Sequence, residues 1–431
     1  MHYLRNYKGF ADAQIDLFKP FSLLIGPNGS GKSNVIEAIE LLSFVARGQP
    51  LHEIGDIGRG SSGLEVRGGL QTCGREGRDR FQLGFSASIE LLGGYSSPLL
   101  YDVEICTQPY PQIISEKLKV EEKTLYETLA KQPDSTSHDL TVRYDDDLEQ
   151  DGARREPSAQ VSSDRSVLSQ YREFAASNNP SYEVSLQAVQ ATMSHLQASF
   201  VFDPDPKLMH SYERVGDTIL KRNGSNLSAV LYGLSTGDEN QQATLQRLLE
   251  KIRQLPDEPY QKFDFTLTEL RDVIFGFQEN SGYKVDSRVL SDGTLRTLAI
   301  LTAFETVAEG SRIVIEEFDN GLHPSRVAVL VEAIAEVAQN RELNVLVTTH
   351  NPATMDFLTQ EQLDGVVVCT WDDENGSASL VRLNELPRYD EFLERGRLGD
   401  LVTRRVIDQY LAPGFEKKRQ KKVLDWLESL S

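Results

Sequence analysis

The segment Gly26-Pro27-Asn28-Gly29-Ser30-Gly31-Lys32-Ser33 limits what this chain can fold into more than any other stretch. It satisfies the pattern GxxxxGK(S/T). An apolar run, Phe21–Ile25, precedes it, and Val35, Ala38, Ile39 and Leu42 follow on one helical face. A strand, a glycine-rich turn and a helix in that order bring successive backbone N–H groups to a helix N-terminus, where phosphate oxygens are held. Gly26, Asn28, Gly29, Ser30, Gly31 and Asn34 are the candidate cradle. Lys32 would neutralise β/γ-phosphate charge, and the Ser33 hydroxyl would ligate Mg²⁺. An incidental glycine turn would not need those flanks, so ATP and Mg²⁺ are the expected cofactors.

Three further segments fall in a fixed order near the other end. Ile313-Val314-Ile315-Glu316-Glu317 is an apolar strand ending in two carboxylates: Glu316 would hold Mg²⁺, directly or through water, and Glu317 would orient and polarise an attacking water. The alternative is a strand that runs into a solvated acidic turn. Upstream, Leu290-Ser291-Asp292-Gly293-Thr294 opens a helix, so Ser291 and the Gly293 amide would offer donors to a γ-phosphate; an ordinary N-cap is the other reading. Downstream, Val347-Thr348-Thr349-His350-Asn351-Pro352 ends the next strand. His350 there would enter the crevice in which α/β sheets bind ligands and donate to the γ-phosphate or the water. His323, in Asn320-Gly321-Leu322-His323-Pro324, is open between function and a turn into the next helix.

Between these ends the texture changes. Period-2 patterns from Phe81 to Glu127 predict an antiparallel sheet. Residues 131–166 are polar, acidic and turn-rich and read as a loop; residues 167–270 read as a helical lobe, with the amphipathic run Gln241–Leu255 inside it. The expected division is 1–130 for the N-terminal half of an ATPase head, 131–270 for the insertion, 271–384 for the C-terminal half and 385–431 for a helical tail. Cys73, Cys106 and Cys369 are scattered and read as reduced thiols. The chain has 45 Lys+Arg against 65 Asp+Glu, a net charge of −20, which opposes non-specific adhesion to nucleic acid or anionic membrane. Any DNA contact would need a local patch. With no apolar run near the roughly 18 residues that span a bilayer and no apolar leader, a cytoplasmic protein without membrane contact is expected.

Taken together, IGPNGSGKSN, LSDGTLR, IEEFDNGLHP and TTHNPA resemble Walker A, signature, Walker B with D-loop, and H-loop of P-loop ATPases in the RecF/SMC-like branch of the ABC superfamily, near the ATPase domain of OLD-type proteins. The resemblance implies an α/β, ABC-type P-loop NTPase head with a largely parallel mixed sheet, flanking helices, an antiparallel sheet and an inserted helical lobe. By residue it implies phosphate and Mg²⁺ binding by Lys32 and Ser33, a Walker B acid at Glu316, the catalytic carboxylate at Glu317, signature contacts from Ser291 and Gly293, and a switch histidine at His350. It further implies a homodimer or higher oligomer with ATP sandwiched head to tail. A separately encoded effector, a nuclease, would be controlled as in anti-phage systems. A RecF-like DNA-repair clamp and a nucleotide-gated scaffold with negligible turnover are the alternatives. Asp292 stands where the general signature has glycine, which puts turnover in question. No Q-loop glutamine can be placed; the strand Ala198–Asp203 and the turn after it are the nearest candidate. OLD-type proteins continue past the H-loop into a Toprim nuclease domain, whereas about 80 residues follow His350 here, among them a basic run, Lys417–Lys422.

Overall fold

A computed structural model describes residues 1–415, apart from 57–62, 92–94, 130–138, 146–148, 151–152, 155–156, 176–179, 257, 374 and 413–414. The basic run Lys417–Lys422 lies outside the described residues, as does much of the acidic stretch 131–156. The chain forms two compact units. The first holds Met1–Leu17, Pro27–Phe200 and Cys369–Leu380; the second holds Phe18–Gly26, Val201–Val368 and Val381–Ser431.

The first unit is built on an eight-stranded antiparallel sheet. Its spatial order is Ser158–Ser162, Asp139–Tyr144, Lys123–Thr128, Gln112–Val120, Tyr95–Cys106, Arg80–Leu91, His2–Tyr7, Phe10–Ile15. Alternation decides which face is inside: Phe81, Leu83 and Phe85 pair with Ile105, Val103 and Tyr101, and all six are buried. The helices Lys32–Ala46 and Pro180–Gln197 pack on this sheet and on each other. The loop expected across 131–166 is corrected here, because Asp139–Tyr144 and Ser158–Ser162 pair antiparallel and extend the sheet. Leu140, Val142 and Val161 alternate into the core, a pattern too short to stand out among acidic neighbours.

One buried charge is stitched into this unit. Glu116 on the strand Gln112–Val120 is fully buried and accepts from Tyr126 Oη at 2.8 Å, Ser166 Oγ at 2.7 Å and the N–H groups of Val167 and Leu168 at 2.9 and 3.2 Å. It closes the N-terminus of the helix Val167–Phe174 with charge-assisted bonds. Burial raises its carboxyl above the usual range while these donors pull it back.

The second unit holds the strands Arg312–Ile315, Asn344–Thr349 and Ser22–Ile25, the centre of a six-stranded sheet whose order is Ser199–Phe202, Arg312–Ile315, Asn344–Thr349, Ser22–Ile25, Val366–Asp372, Ser377–Arg382. The central pairings are parallel, with Ile313 opposite Val345, Val347 opposite Leu23 and Val367 opposite Leu24. Ser22–Ile25 and Arg312–Ile315 are buried throughout, as strands covered on both faces are. The helices Asp292–Thr306 and Pro324–Asn340 belong to the same unit. A second, antiparallel sheet joins Glu213–Arg214, Asp272–Glu279, Tyr260–Leu267 and Lys284–Asp286. Its aromatic layer includes Tyr260 stacked on Phe277 at 4.2 Å, with Phe263 and Phe275 beside them.

A single helical lobe over 167–270 is therefore not what forms. Its helices are Val167–Phe174, Pro180–Gln197, Leu227–Thr236 and Glu239–Arg253, but Ser199–Phe202 edges the parallel sheet and Tyr260–Leu267 is a strand. The segment also divides between the units at Phe200. Among the described residues, no helix is long and apolar enough to cross a membrane.

Candidate functional site

In the first unit the glycine-rich loop passes from Pro27, Asn28 and Gly29, all exposed, to buried Ser30 and then Gly31, the residue before the helix Lys32–Ala46. Gly31 takes φ +110°, and a Cβ there would stand 3.1 Å from Phe10 Cζ, so both its conformation and its lack of a side chain are needed. Without a side chain it cannot cap the helix, and no acidic residue occupies the first turn. Such an end suits an anion. Ser30 Oγ is buried with no hydrogen-bond partner among the described residues, an orphaned donor within the cradle. Lys32, nearly buried, folds its Nζ over the loop to Pro27 O at 3.1 Å. Ser33 and Asn34 follow in the first helical turn, both half-buried.

Sequence reasoning missed the support behind this loop. Cys369 Sγ lies 3.0 Å from Ser30 O, and burial pushes its thiol up to about 11. It acts as a small packed donor. The position, 339 residues away in an apolar run, carries no local signal.

In the second unit Gly26 ends the strand Ser22–Ile25, and the strand Arg312–Ile315 delivers Glu316 and Glu317, both half-buried. Glu317 adopts φ +46°, a left-handed conformation that costs an acidic residue on the order of 1 kcal/mol. Two bonds to Thr348 hold the turn there. Its N–H donates to Thr348 Oγ1 at 2.9 Å, and Phe318 N–H donates to Thr348 O at 3.3 Å. His350 Nδ1 lies 3.4 Å from Glu317 Oε1, and Asn320 Nδ2 donates to Glu317 Oε2 at 3.3 Å. Buried Asp319 accepts from Thr349 Oγ1 at 2.6 Å and from Thr354 Oγ1, which pins the turn after Glu317 to the His350 turn.

Ser291 caps the helix Asp292–Thr306 by accepting from Thr294 N–H at 3.1 Å, so the capping reading holds locally. Gly293 packs near the loop after Glu317: a Cβ there would meet Leu322 Cδ2 at 3.3 Å. His323 caps the helix Pro324–Asn340, its Nδ1 accepting from Ser325 N–H at 3.3 Å, as a turn into that helix requires. Arg296, unnoticed in LSDGTLR, donates from Nη1 to Glu317 O at 3.3 Å. Burial lowers its pKa, against the opposing charges of Asp203, Glu317, Asp205 and Asp319. The candidate Q-loop stretch holds Asp203 rather than glutamine. Burial, then the charge of Glu316, raises its carboxyl.

Among the described residues no group of three His, Cys, Asp or Glu side chains gathers as a metal cage. Mg²⁺ does not need one, since it keeps several waters and takes one or two hard oxygen ligands from protein besides phosphate. The Ser33 hydroxyl and the Glu316 carboxylate are each a hard oxygen donor of that kind.

A model of the family described as "AAA domain, putative AbiEii toxin, Type IV TA system" matches residues 21–356. An "ATP/GTP phosphatase" of Helicobacter pylori is 23% identical over 366 residues, covering 83% of this chain and 86% of that protein. A "DNA replication and repair protein RecF" of Gloeobacter violaceus is 31% identical over 71 residues, which is 16% of this chain and 19% of that protein. Among solved structures, the SMC head domain of Thermotoga maritima covers 88% of this chain and 97% of its own at 11% identity and a TM-score of 0.40. The Pyrococcus furiosus Smc head, bound to the C-terminal domain of ScpA, covers 91% and 98% at 12% identity and 0.47. These structural likenesses are distant, and the resemblance to OLD-type proteins is one of motifs alone. With more than half its length matched and the four motifs in order, the chain belongs to this AAA-domain family and is a P-loop ATPase of the RecF/SMC-like ABC type.

Proposed function

We propose that this ATPase closes head to tail with a second copy on ATP and works as the sensor or switch subunit of a separately encoded effector, a nuclease, in anti-phage defence. The observation that carries the hydrolytic part is the placement of Glu317 against His350 at the ends of adjacent parallel strands. Glu317 is the general base that takes a proton from the attacking water. His350 orients that carboxylate and donates to the γ-phosphate or the water. Lys32 and the amides of 29–34 would hold the phosphates, and Ser33 and Glu316 are the residues that would hold Mg²⁺. When bound, Mg²⁺ neutralises charge that develops on the β- and γ-phosphates. Ser291 and Gly293 complete the site of the second copy.

A role in a two-part system is supported by the motif resemblance and by the family description, which names a toxin of a toxin–antitoxin pair. The local RecF match favours a second reading, a DNA-repair clamp. The net charge of −20 weighs against broad DNA binding. Light scattering of the Glu317→Gln chain with ATP and Mg²⁺ should show a dimer or larger. Copurification from the native operon should bring down a nuclease. A strictly monomeric species at high concentration would refute the first part, and a clean preparation whose ATPase responds only to DNA would favour the clamp.

A further inference from the structure

The signature serine is tied to a buried polar network that no motif announces. Glu258 and Arg326 form an ion pair at 2.7 Å, their side chains 3% and 17% exposed. Thr294, itself buried, sits between them: its Oγ1 is 2.6 Å from Glu258 Oε1, 3.0 Å from Arg326 Nη1 and 2.8 Å from Ser291 Oγ. Arg326 Nη2 also donates to Pro256 O at 3.3 Å.

A count of protons fixes the direction of every bond. A carboxylate only accepts, so Thr294 spends its one hydroxyl proton on Glu258. A guanidinium only donates, so Thr294 accepts from Arg326. Thr294 Oγ1 has a lone pair left and no proton, so the 2.8 Å contact exists only with Ser291 as donor. Ser291 Oγ meanwhile accepts from Thr294 N–H. The one proton Ser291 could give to a phosphate is therefore already committed.

We propose that Glu258, Thr294 and Arg326 are positioning residues that hold the Ser291 hydroxyl turned inward on Thr294, so that the signature engages a second copy's nucleotide only when this internal bond breaks. The device sets a threshold on ATP-driven closure, and Arg326 places one end of it on the helix that follows the Walker B turn. The inference rests on the head-to-tail reading above for the role of Ser291.

The test compares half-maximal ATP concentrations for dimerisation, by light scattering, in the Glu317→Gln background. Thr294→Val removes the inward acceptor and should lower that concentration about threefold to tenfold, the worth of one net hydrogen bond. Thr294→Ala should act in the same direction if Val folds poorly, and Thr294→Ser should match the parent. In a Ser291→Ala chain, Thr294→Val should produce no shift. A merely structural Thr294 would give the same shift in both backgrounds, and that result, or none in either, overturns the proposal. If the Glu317→Gln parent stays monomeric, the dimer reading fails by itself. The Ser291–Thr294 bond is then read from urea midpoints of the nucleotide-free single and double variants, where non-additivity supports it and strict additivity refutes it.

Discussion

His350 Nδ1 stands 3.4 Å from Glu317 Oε1, across the ends of the adjacent parallel strands Asn344–Thr349 and Arg312–Ile315. Neither residue is close to the other in sequence. The in-register pairing of Val347 with Ile315 brings them together, so this proximity is a property of the sheet.

Replacing His350 with Ala should therefore reduce kcat by about 100-fold while ATP affinity changes little, as expected for a group that acts only as charge develops. Single-turnover kinetics beside nucleotide titration would show this. A rise in KM with kcat intact would instead assign His350 to binding.

Thr348 has a quieter task. Its Oγ1 accepts the Glu317 N–H that stabilises φ +46° there. Thr348→Val keeps the shape and removes the acceptor, so kcat should fall about tenfold with ATP affinity unchanged, and Thr348→Ser should restore most of it.

Lys32→Ala should abolish ATP binding by calorimetry, because its ammonium would face several phosphate charges in a partly desolvated cradle. Gly31→Ala should act nearly as severely, for a different reason. It strains a backbone at φ +110° and presses a methyl on Phe10, which distorts the loop and lowers stability by about 1–3 kcal/mol. Unchanged affinity in both variants would contradict the cradle described above.

In the first unit, Glu116→Ala should lower stability by about 3 kcal/mol, seen as a lower urea midpoint, since Tyr126, Ser166 and two N–H groups lose their shared acceptor in a buried place. ATP binding should persist at low temperature. A change within 0.5 kcal/mol would mean that water replaces the carboxylate.

What could be read from the sequence followed how locally each feature is encoded. The loop 26–33, the strand Arg312–Ile315 and the helices Asp292–Thr306 and Pro324–Asn340 are each written in contiguous residues, and they form close to where expected. Tyr260–Leu267 was hidden because Gln261, Lys262 and Asp264 dilute its aromatic alternation, and its partner strand supplies the reason for Phe263 and Phe265 to face a sheet. Glu116 was hidden because a charge in a strand reads as solvent-facing. Only its four donors, three of them at 166–168, explain its burial. Cys369 behind Ser30, Arg296 on Glu317 O and Arg326 on Thr294 are tertiary contacts between residues with no shared motif.

The proposed role of Glu317 is to drive ATP hydrolysis in a chain whose nucleotide binding does not depend on it. Phosphate release by the purified protein with ATP and Mg²⁺, measured alongside nucleotide affinity for parent and Glu317→Gln, tests it directly. Affinity should be equal, and release should drop at least 100-fold in the variant. Release by Glu317→Gln at the parent's rate would contradict it.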